Sequence, residues 1–376
     1  MDKKIRLLQV IPRLDVGGAE TGCKDIAQFI AEQNYFSAIL CSGGEQIKNI
    51  DQTKIKIFKF SVHSKNPFMI FFNIFVILFI VLFYKINIIH VRSRAPAWSC
   101  YFASKLLGVS LISTFHGTYN FNNPLKKFYN SVMLRGNSVI AGSRFIFDHI
   151  RNNYNYSKDI FLIPRGINID YFDSKNSNIE GLNSVRTRWG ISGNNFLILL
   201  PGRLTFWKGQ FLFLNTLLFL KQENLLNNIS AIILGDDQGR TEYREYLLDF
   251  IREHRLEENV KIVSHESFMP SAYNACNLVL SASIEPEAFG RVAVEAQAME
   301  KPILASNIGG SNETIIDGQT GWLFKSDDEK DLAKMIIEIS KKDKSFLKDL
   351  GAKGRANVIN NYTVDQMCSK TLEIYK

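Results

Sequence analysis

Short apolar runs bounded by turn residues alternate with longer stretches of helical period along almost the whole chain. Ile5–Ile11, Ser37–Cys41, Ile86–Val91, Leu111–Phe115 and Ser138–Ala141 are predicted as buried strands, with helices such as Gly18–Gln33 and Ala97–Leu107 between them. A polar stretch rich in Gly, Asn and Ser at 173–195 breaks this rhythm and predicts a linker with one short helix. Strands resume at Phe196–Pro201, Ala231–Gly235, Val260–Val263, Leu278–Ser281 and Pro302–Ala305. Continuous apolar strands separated by helices mean βαβ units in a mostly parallel sheet covered on both faces. The fold class is therefore α/β, with two Rossmann-like doubly wound domains expected to face each other across a cleft at the carboxyl ends of their strands. A length of 376 residues suits two such domains.

Phe68–Tyr84 stands apart, because Asn73 is its one strongly polar side chain. Asn66 and Pro67 have the character of an N-cap and a first helical residue. A spanning helix needs about 20 apolar residues, and this run is shorter, sits where a crossover helix belongs and leads directly into the strand at 86–91. A crossover helix is expected, and an exposed apolar face on it would mark a membrane-docking surface. Charge adds to that picture. Residues 1–170 hold 21 Lys and Arg against 10 Asp and Glu, whereas the remainder holds 24 against 27. A basic first half suits an anionic partner such as a phosphorylated lipid or an acidic membrane surface. The five cysteines are scattered and never spaced as CxxC, which argues against a disulfide framework or a zinc site and fits a reducing, cytoplasmic compartment. The start MDKKIRLLQVIPRL is cut by Pro12 and Arg13 and reads as a first strand rather than a secretory signal.

Chemistry concentrates at strand ends. In SASIEPEAFGRVAVEAQAMEKPILASNIGGSNETI, residues 281–315, Glu287 precedes a helical run and Glu295 is expected about two turns inside it. Gly290 lets the backbone approach a ligand, and the free N–H groups of a helix start suit a diphosphate. A carboxylate within the helix can accept both hydroxyls of a ribose. Pro201–Gly209, PGRLTFWKG, follows a strand and places Arg203 and Lys208 where a cationic pair can neutralise a departing diphosphate. In the first half, Val16–Glu20 opens a helix with Gly17 and Gly18, but it is not G-x-G-x-x-G, which disfavours a nicotinamide site. His116 and Gly117 end the strand at 111–115, and Arg92 to Trp98 (RSRAPAW) follow the strand at 86–91. Arg92 and Arg94 would suit a phosphate or an acidic sugar, and Ser143 after the strand at 138–141 is a further candidate of this kind.

The segment from Glu287 to Glu295 resembles the E-x7-E signature of family-4 retaining glycosyltransferases, which have the GT-B fold. Its neighbours match as well: Ser-Ala-Ser before it, then Lys301-Pro302-Ile303, Gly309-Gly310 and Glu313 after it. The resemblance extends over nearly the whole chain. It implies that Glu287 contacts the transferred sugar, Glu295 the nucleotide ribose, and Ala288, Phe289, Gly290 and Arg291 the sugar and phosphates. It makes Arg203 and Lys208 the phosphate clamp, brings Gly17 and Gly18 to the donor phosphates, sets His116 against the donor sugar, and puts Arg92 and Arg94 on the acceptor side. Ile163–Asn168 is similar to the family's P-x-G-[VI]-[DN] turn, with Arg165 at the variable position. It also implies an acceptor-side domain at 1–172, a donor domain at 173–360, and a last helix within 361–376 that crosses back.

The activity so implied moves a hexose from a UDP- or GDP-sugar to a glycan or lipid-linked acceptor with retained configuration, in lipopolysaccharide, capsule or other envelope synthesis. The nucleotide sugar is a co-substrate; no cofactor and no metal are expected, since no Asp-x-Asp motif stands near the site. The setting expected is cytoplasmic, with peripheral contact on the inner face of the anionic membrane, and nucleic acid is not a partner. Two other classes remain open on the residues alone: a sugar-nucleotide epimerase or hydrolase on the same scaffold, and a non-catalytic membrane-associated binding protein.

Overall fold

The computed structural model describes residues 4–15, 17–119, 121, 123–176, 179–191 and 195–376. Residues 1–3 of the basic start, Val16 of the Gly-Gly motif and 177–178 and 192–194 of the expected linker lie outside them. The chain forms two compact units, Met1–Gly166 with Val364–Lys376, and Ile167–Thr363.

The first unit carries β1 (Arg6–Val10), α1 (Gly18–Glu32), β2 (Phe36–Cys41), β3 (Ile55–Lys59), α2 (Pro67–Phe83), β4 (Ile88–Val91), α3 (Arg94–Leu107), β5 (Ser110–Phe115), α4 (Pro124–Asn130), β6 (Ser138–Ala141), α5 (Arg144–Tyr154) and β7 (Ile160–Leu162). They build a seven-stranded sheet of order β3-β2-β1-β4-β5-β6-β7, in which every pairing is parallel. The order reverses between β1 and β4, whose register pairs Val10 with Val91. At such a switch point the two following loops part, and a ligand site opens beyond the strand ends.

The second unit carries α6 (Ile179–Arg188), β8 (Phe196–Pro201), α7 (Gln210–Gln222), β9 (Ile229–Leu234), α8 (Thr241–Glu253), β10 (Val260–Val263), α9 (Met269–Ala275), β11 (Leu278–Ser281), α10 (Arg291–Ala298), β12 (Ile303–Ser306), α11 (Ser311–Thr314), β13 (Trp322–Phe324), α12 (Glu329–Ser340) and α13 (Lys344–Asn361). Its six-stranded parallel sheet has the order β10-β9-β8-β11-β12-β13, with the reversal between β8 and β11. Residues 229–234 of β9 are all buried, as a central strand covered on both faces requires. One apolar cluster packs α7, α8 and α12 on one face, and another packs α9, α10 and α13 on the other.

The last helix, α14 (Val364–Tyr375), belongs to the first unit, where Met367, Cys368 and Tyr375 join the core of Ile5, Ile26, Ile30 and Ile88. Buried His90 fixes it there: one ring nitrogen lies 2.5 Å from the Tyr375 hydroxyl and the other 2.7 Å from Thr114 Oγ1. Asn66 caps α2 as its sequence predicts, with Oδ1 accepting from the Phe68 N–H at 2.9 Å and Pro67 in the first turn. Two sequence expectations shift. The third helix starts at Arg94 rather than Ala97, because Pro96 fits within a first turn. α10 starts at Arg291, after Gly290 in a left-handed conformation, so Glu295 lies about one turn inside the helix and not two.

Candidate active site

In the second unit the expected residues collect at the switch point. The loop from β8 to α7 closes against the end of β11, and the Ile284 N–H donates to the Trp207 carbonyl at 2.9 Å. Gly209 makes this approach possible: its φ is +73°, and a Cβ there would stand 1.8 Å from the Ala282 carbonyl oxygen. The result is a contact that sequence spacing does not announce. Lys208 Nζ lies 2.7 Å from Glu287 Oε1, with both side chains largely buried, and Ser283 Oγ donates to the same oxygen at 2.6 Å. Burial alone would raise the Glu287 pKa, but Lys208 with the hydroxyls of Ser283 and Ser281 outweighs it and holds the carboxylate below its ordinary range. Arg203 stands apart: it is exposed, and its guanidinium reaches Gln238 Oε1 at 3.4 Å.

Behind Glu287, the Gly310 N–H donates to the Glu287 carbonyl at 2.8 Å, and a Cβ on Gly310 would fall 2.5 Å from the Phe289 backbone. The glycine pair after β12 thus lets the 287–290 loop fold down onto it. Ala288, Phe289 and Gly290 lead into α10, whose first N–H groups have no acceptor within the helix. Glu295 is buried, and both its oxygens are engaged. Oε1 accepts from Arg291 Nε at 2.5 Å and Oε2 from the Tyr273 hydroxyl at 2.6 Å. A carboxylate has about four acceptor positions, so a diol can still be received while Arg291 and Tyr273 hold its orientation. Tyr273, fully buried on α9, has its pKa pushed well up by burial and by the Glu295 charge, so it stays a donor. No motif in the sequence points to Tyr273; its position on another helix is set only by folding.

In the first unit, Gly17 and Gly18 begin α1 after β1, and Arg92 follows β4 across the switch point. Glu20 folds back over Gly17, where a Cβ would lie 2.3 Å from its carboxylate, and the Arg165 guanidinium covers Gly18 at the same distance. Arg165 Nη2 also meets His116 Nδ1 at 2.7 Å. A guanidinium has no acceptor, so Nδ1 accepts and the His116 proton resides on Nε2. That Nε2 is buried without a hydrogen-bond partner among the described residues, as is Arg92 Nη2. Burial, then Arg165, Arg92 and His90, depress the His116 pKa well below the imidazole value, so the ring is neutral. Arg92 is 4% exposed, and Gln9 Oε1 accepts from its Nε at 2.9 Å. Two buried donors from one sheet end, one of them a cation, lack acceptors among the described residues; an anionic or hydroxyl-rich ligand would supply them. Arg94 instead donates to Asn130 Oδ1 at 2.9 Å and lies 4.2 Å over the Tyr119 ring. Ser143 Oγ caps α5 by accepting from the Ile146 N–H at 3.1 Å, a structural role.

Comparison with known proteins matches these two units to two descriptions, Glycosyltransferase Family 4 over residues 16–171 and Glycosyl transferases group 1 over residues 183–357. The crystal structure of a glycosyltransferase from Rickettsia africae ESF-5 is 36% identical, covers 99% of this chain and 98% of its own, and superposes with a TM-score of 0.91. The chain belongs to family 4 of the glycosyltransferases. Its fold is accordingly GT-B, shared with Anabaena HepE solved in complex with UDP-glucose, which is 21% identical with a TM-score of 0.83 over 98% of this chain and 99% of that one. Among curated relatives of this glycosyltransferase, the capsular polysaccharide biosynthesis glycosyltransferase CapM of Staphylococcus aureus is 26% identical over 53% of the chain. The chain spans about half the length of that relative, 49%.

Proposed function

We propose that this family-4 glycosyltransferase transfers a hexose, with retention of configuration, from a nucleoside diphosphate sugar to a hydroxyl of a glycan or lipid-linked acceptor in envelope polysaccharide synthesis. The observation that carries the reading is the buried Lys208–Glu287 pair at the β8/β11 switch point, one helical segment away from the engaged Glu295. Glu295 receives the ribose hydroxyls, and Ala288, Phe289, Gly290 and Arg291 hold the sugar and phosphates. Lys208 sits on the diphosphate, with Arg203 swinging from Gln238 to join it. Glu287, kept ionised by its neighbours, orients both Lys208 and the transferred sugar. In the first unit Gly17 and Gly18 serve the phosphates, the neutral His116 donates from Nε2 to a sugar hydroxyl, and Arg92 and Arg94 serve the acceptor.

In the step itself the anomeric C–O bond to phosphate breaks as the acceptor oxygen bonds to the same face of the sugar carbon. The acceptor proton passes to the departing phosphate oxygen. Charge grows on the diphosphate, and fixed cations and a helix start aimed at it lower the barrier. A UDP- or GDP-sugar is the donor favoured, and the capsule-type relative supports an envelope acceptor. The test is the anomeric configuration of the product by NMR, formed with a chelator present. Retention and undiminished turnover are expected; an inverted product or loss of turnover on chelation contradicts the scheme.

A further inference from the structure

α2 is apolar on both sides, although only one of them is buried. Its buried side carries Asn73, whose Nδ2 donates to the Ser61 carbonyl at 3.2 Å, together with Ile77, Ile80 and Val81. Its outer side carries Phe68, Phe71, Phe72, Phe75, Phe79 and Leu82, at the i, i+3, i+4, i+7 spacing of a single stripe, with exposures from 52% at Phe72 to 84% at Phe68. The outer rings pack on one another, as in the Phe71–Phe75 contact at 5.2 Å, and Phe72 meets Phe60 at 5.8 Å, yet all of them stay exposed. The patch continues beyond the helix. Ser99 of α3 donates to the Ile70 carbonyl, fixing α3 alongside, and α3 exposes Phe102 and Leu106. Trp98 bridges from there to Phe128 of α4, which is exposed next to Leu125. Contiguous apolar surface of this extent marks an interaction site.

Charge decides the partner. Between Asp51 and Asp148 there is no acidic residue, whereas the stretch holds twelve Lys and Arg. Exposed Lys65 and Lys85 flank α2, Lys105 lies on α3, Lys126 and Lys127 lie on α4, and Arg135 stacks on Trp98 and Phe128. A second copy of this chain would bring like charges together around the same face. A surface that is apolar in the middle and negative around it is an anionic lipid bilayer, into which aromatic side chains insert while lysines meet headgroups. No helix among the described residues is long and apolar enough to cross a membrane, so α2 would lie along it.

We propose that the outer stripe of α2, with the adjoining faces of α3 and α4, docks this protein on an anionic membrane surface. This does not depend on the transfer chemistry. The experiment is co-sedimentation of the full chain with vesicles of phosphatidylglycerol and phosphatidylcholine, or of phosphatidylcholine alone, at physiological salt. Binding to the anionic vesicles alone is expected, weakening as salt rises. Lys126→Ala with Lys127→Ala should weaken it about 30-fold, from about 1 kcal/mol per basic residue. Phe75→Ser with Phe79→Ser, both exposed and so without cost to the core, should abolish it while donor cleavage in solution is unchanged. Equal binding to both vesicle types, or no vesicle binding by a wild-type chain that self-associates through Phe75 and Phe79, overturns the proposal.

Discussion

The Arg165–His116 contact gives a single residue a defined chemical task. With Nδ1 accepting from Arg165, His116 offers only an Nε2–H donor, and the depressed pKa keeps it from competing as an acid. Two substitutions separate this from a merely structural histidine. Glutamine can place an amide nitrogen near Nε2, whereas asparagine reaches only the Nδ1 position. His116→Gln should therefore retain roughly tenfold more kcat than His116→Asn, the worth of one hydrogen bond of about 1.4 kcal/mol. Arg165→Ala removes the donor that holds Nδ1 as an acceptor, so the ring is free to take the other tautomer and kcat should fall with little change in KM for the donor. Equal kcat in the two His116 variants, with kcat unchanged in Arg165→Ala, contradicts the assignment. In the sequence Arg165 is only the variable residue of a turn, and nothing in its spacing says that it reaches 49 residues back to His116.

At the scale of elements, the interior of each sheet was legible, but of the four edge strands only β10 (Val260–Val263) was. Central strands such as Phe196–Pro201 and Ser138–Ala141 are unbroken apolar runs, and they stand where their sequence predicts. The strands that escaped, β3, β7 and β13, all lie at sheet edges. There the strand is partly exposed, so the apolar run of Ile55–Lys59 is broken by Lys56 and Lys59, and the other two are three residues long. The attachment of α14 rests on a buried histidine, and this makes it sensitive to acid. Burial and then Arg92 push the His90 pKa well below the imidazole value. The unfolded chain protonates near pH 6.5, and folded His90 resists until a lower pH. Stability is therefore full above about pH 6.5 and falls as the pH drops through the window down to the depressed value. The loss is up to about 1.4 kcal/mol per pH unit for each such histidine. Thermal unfolding between pH 7 and 5 should show a shallower decline for His90→Asn than for wild type, with the remaining slope from His116 and His149, whose pKa values burial also lowers. Parallel declines would rule out His90 as the source.

For the whole molecule, alternation of strands and helices sufficed for an α/β chain of doubly wound sheets, and the motif residues fell at strand ends. What pattern could not supply was which of them meet. Lys208 and Glu287 are 79 residues apart, joined because β8 and β11 are neighbours at a strand-order reversal. Glu295 gains Tyr273 in the same way, through packing of α9 near α10 in one core. Arg203, which motif resemblance couples to Lys208, points instead to Gln238. In the proposed reaction Lys208, held by Glu287, stabilises a departing nucleoside diphosphate. The decisive experiment follows release of nucleoside diphosphate from UDP-, GDP- and ADP-sugars with membrane extract as acceptor, comparing wild type with Lys208→Ala of verified thermal stability. One donor should be cleaved, faster with extract, and the variant should lose about 100-fold or more in kcat, as when a fixed electrostatic stabiliser is removed. Cleavage by Lys208→Ala at the wild-type rate would contradict it.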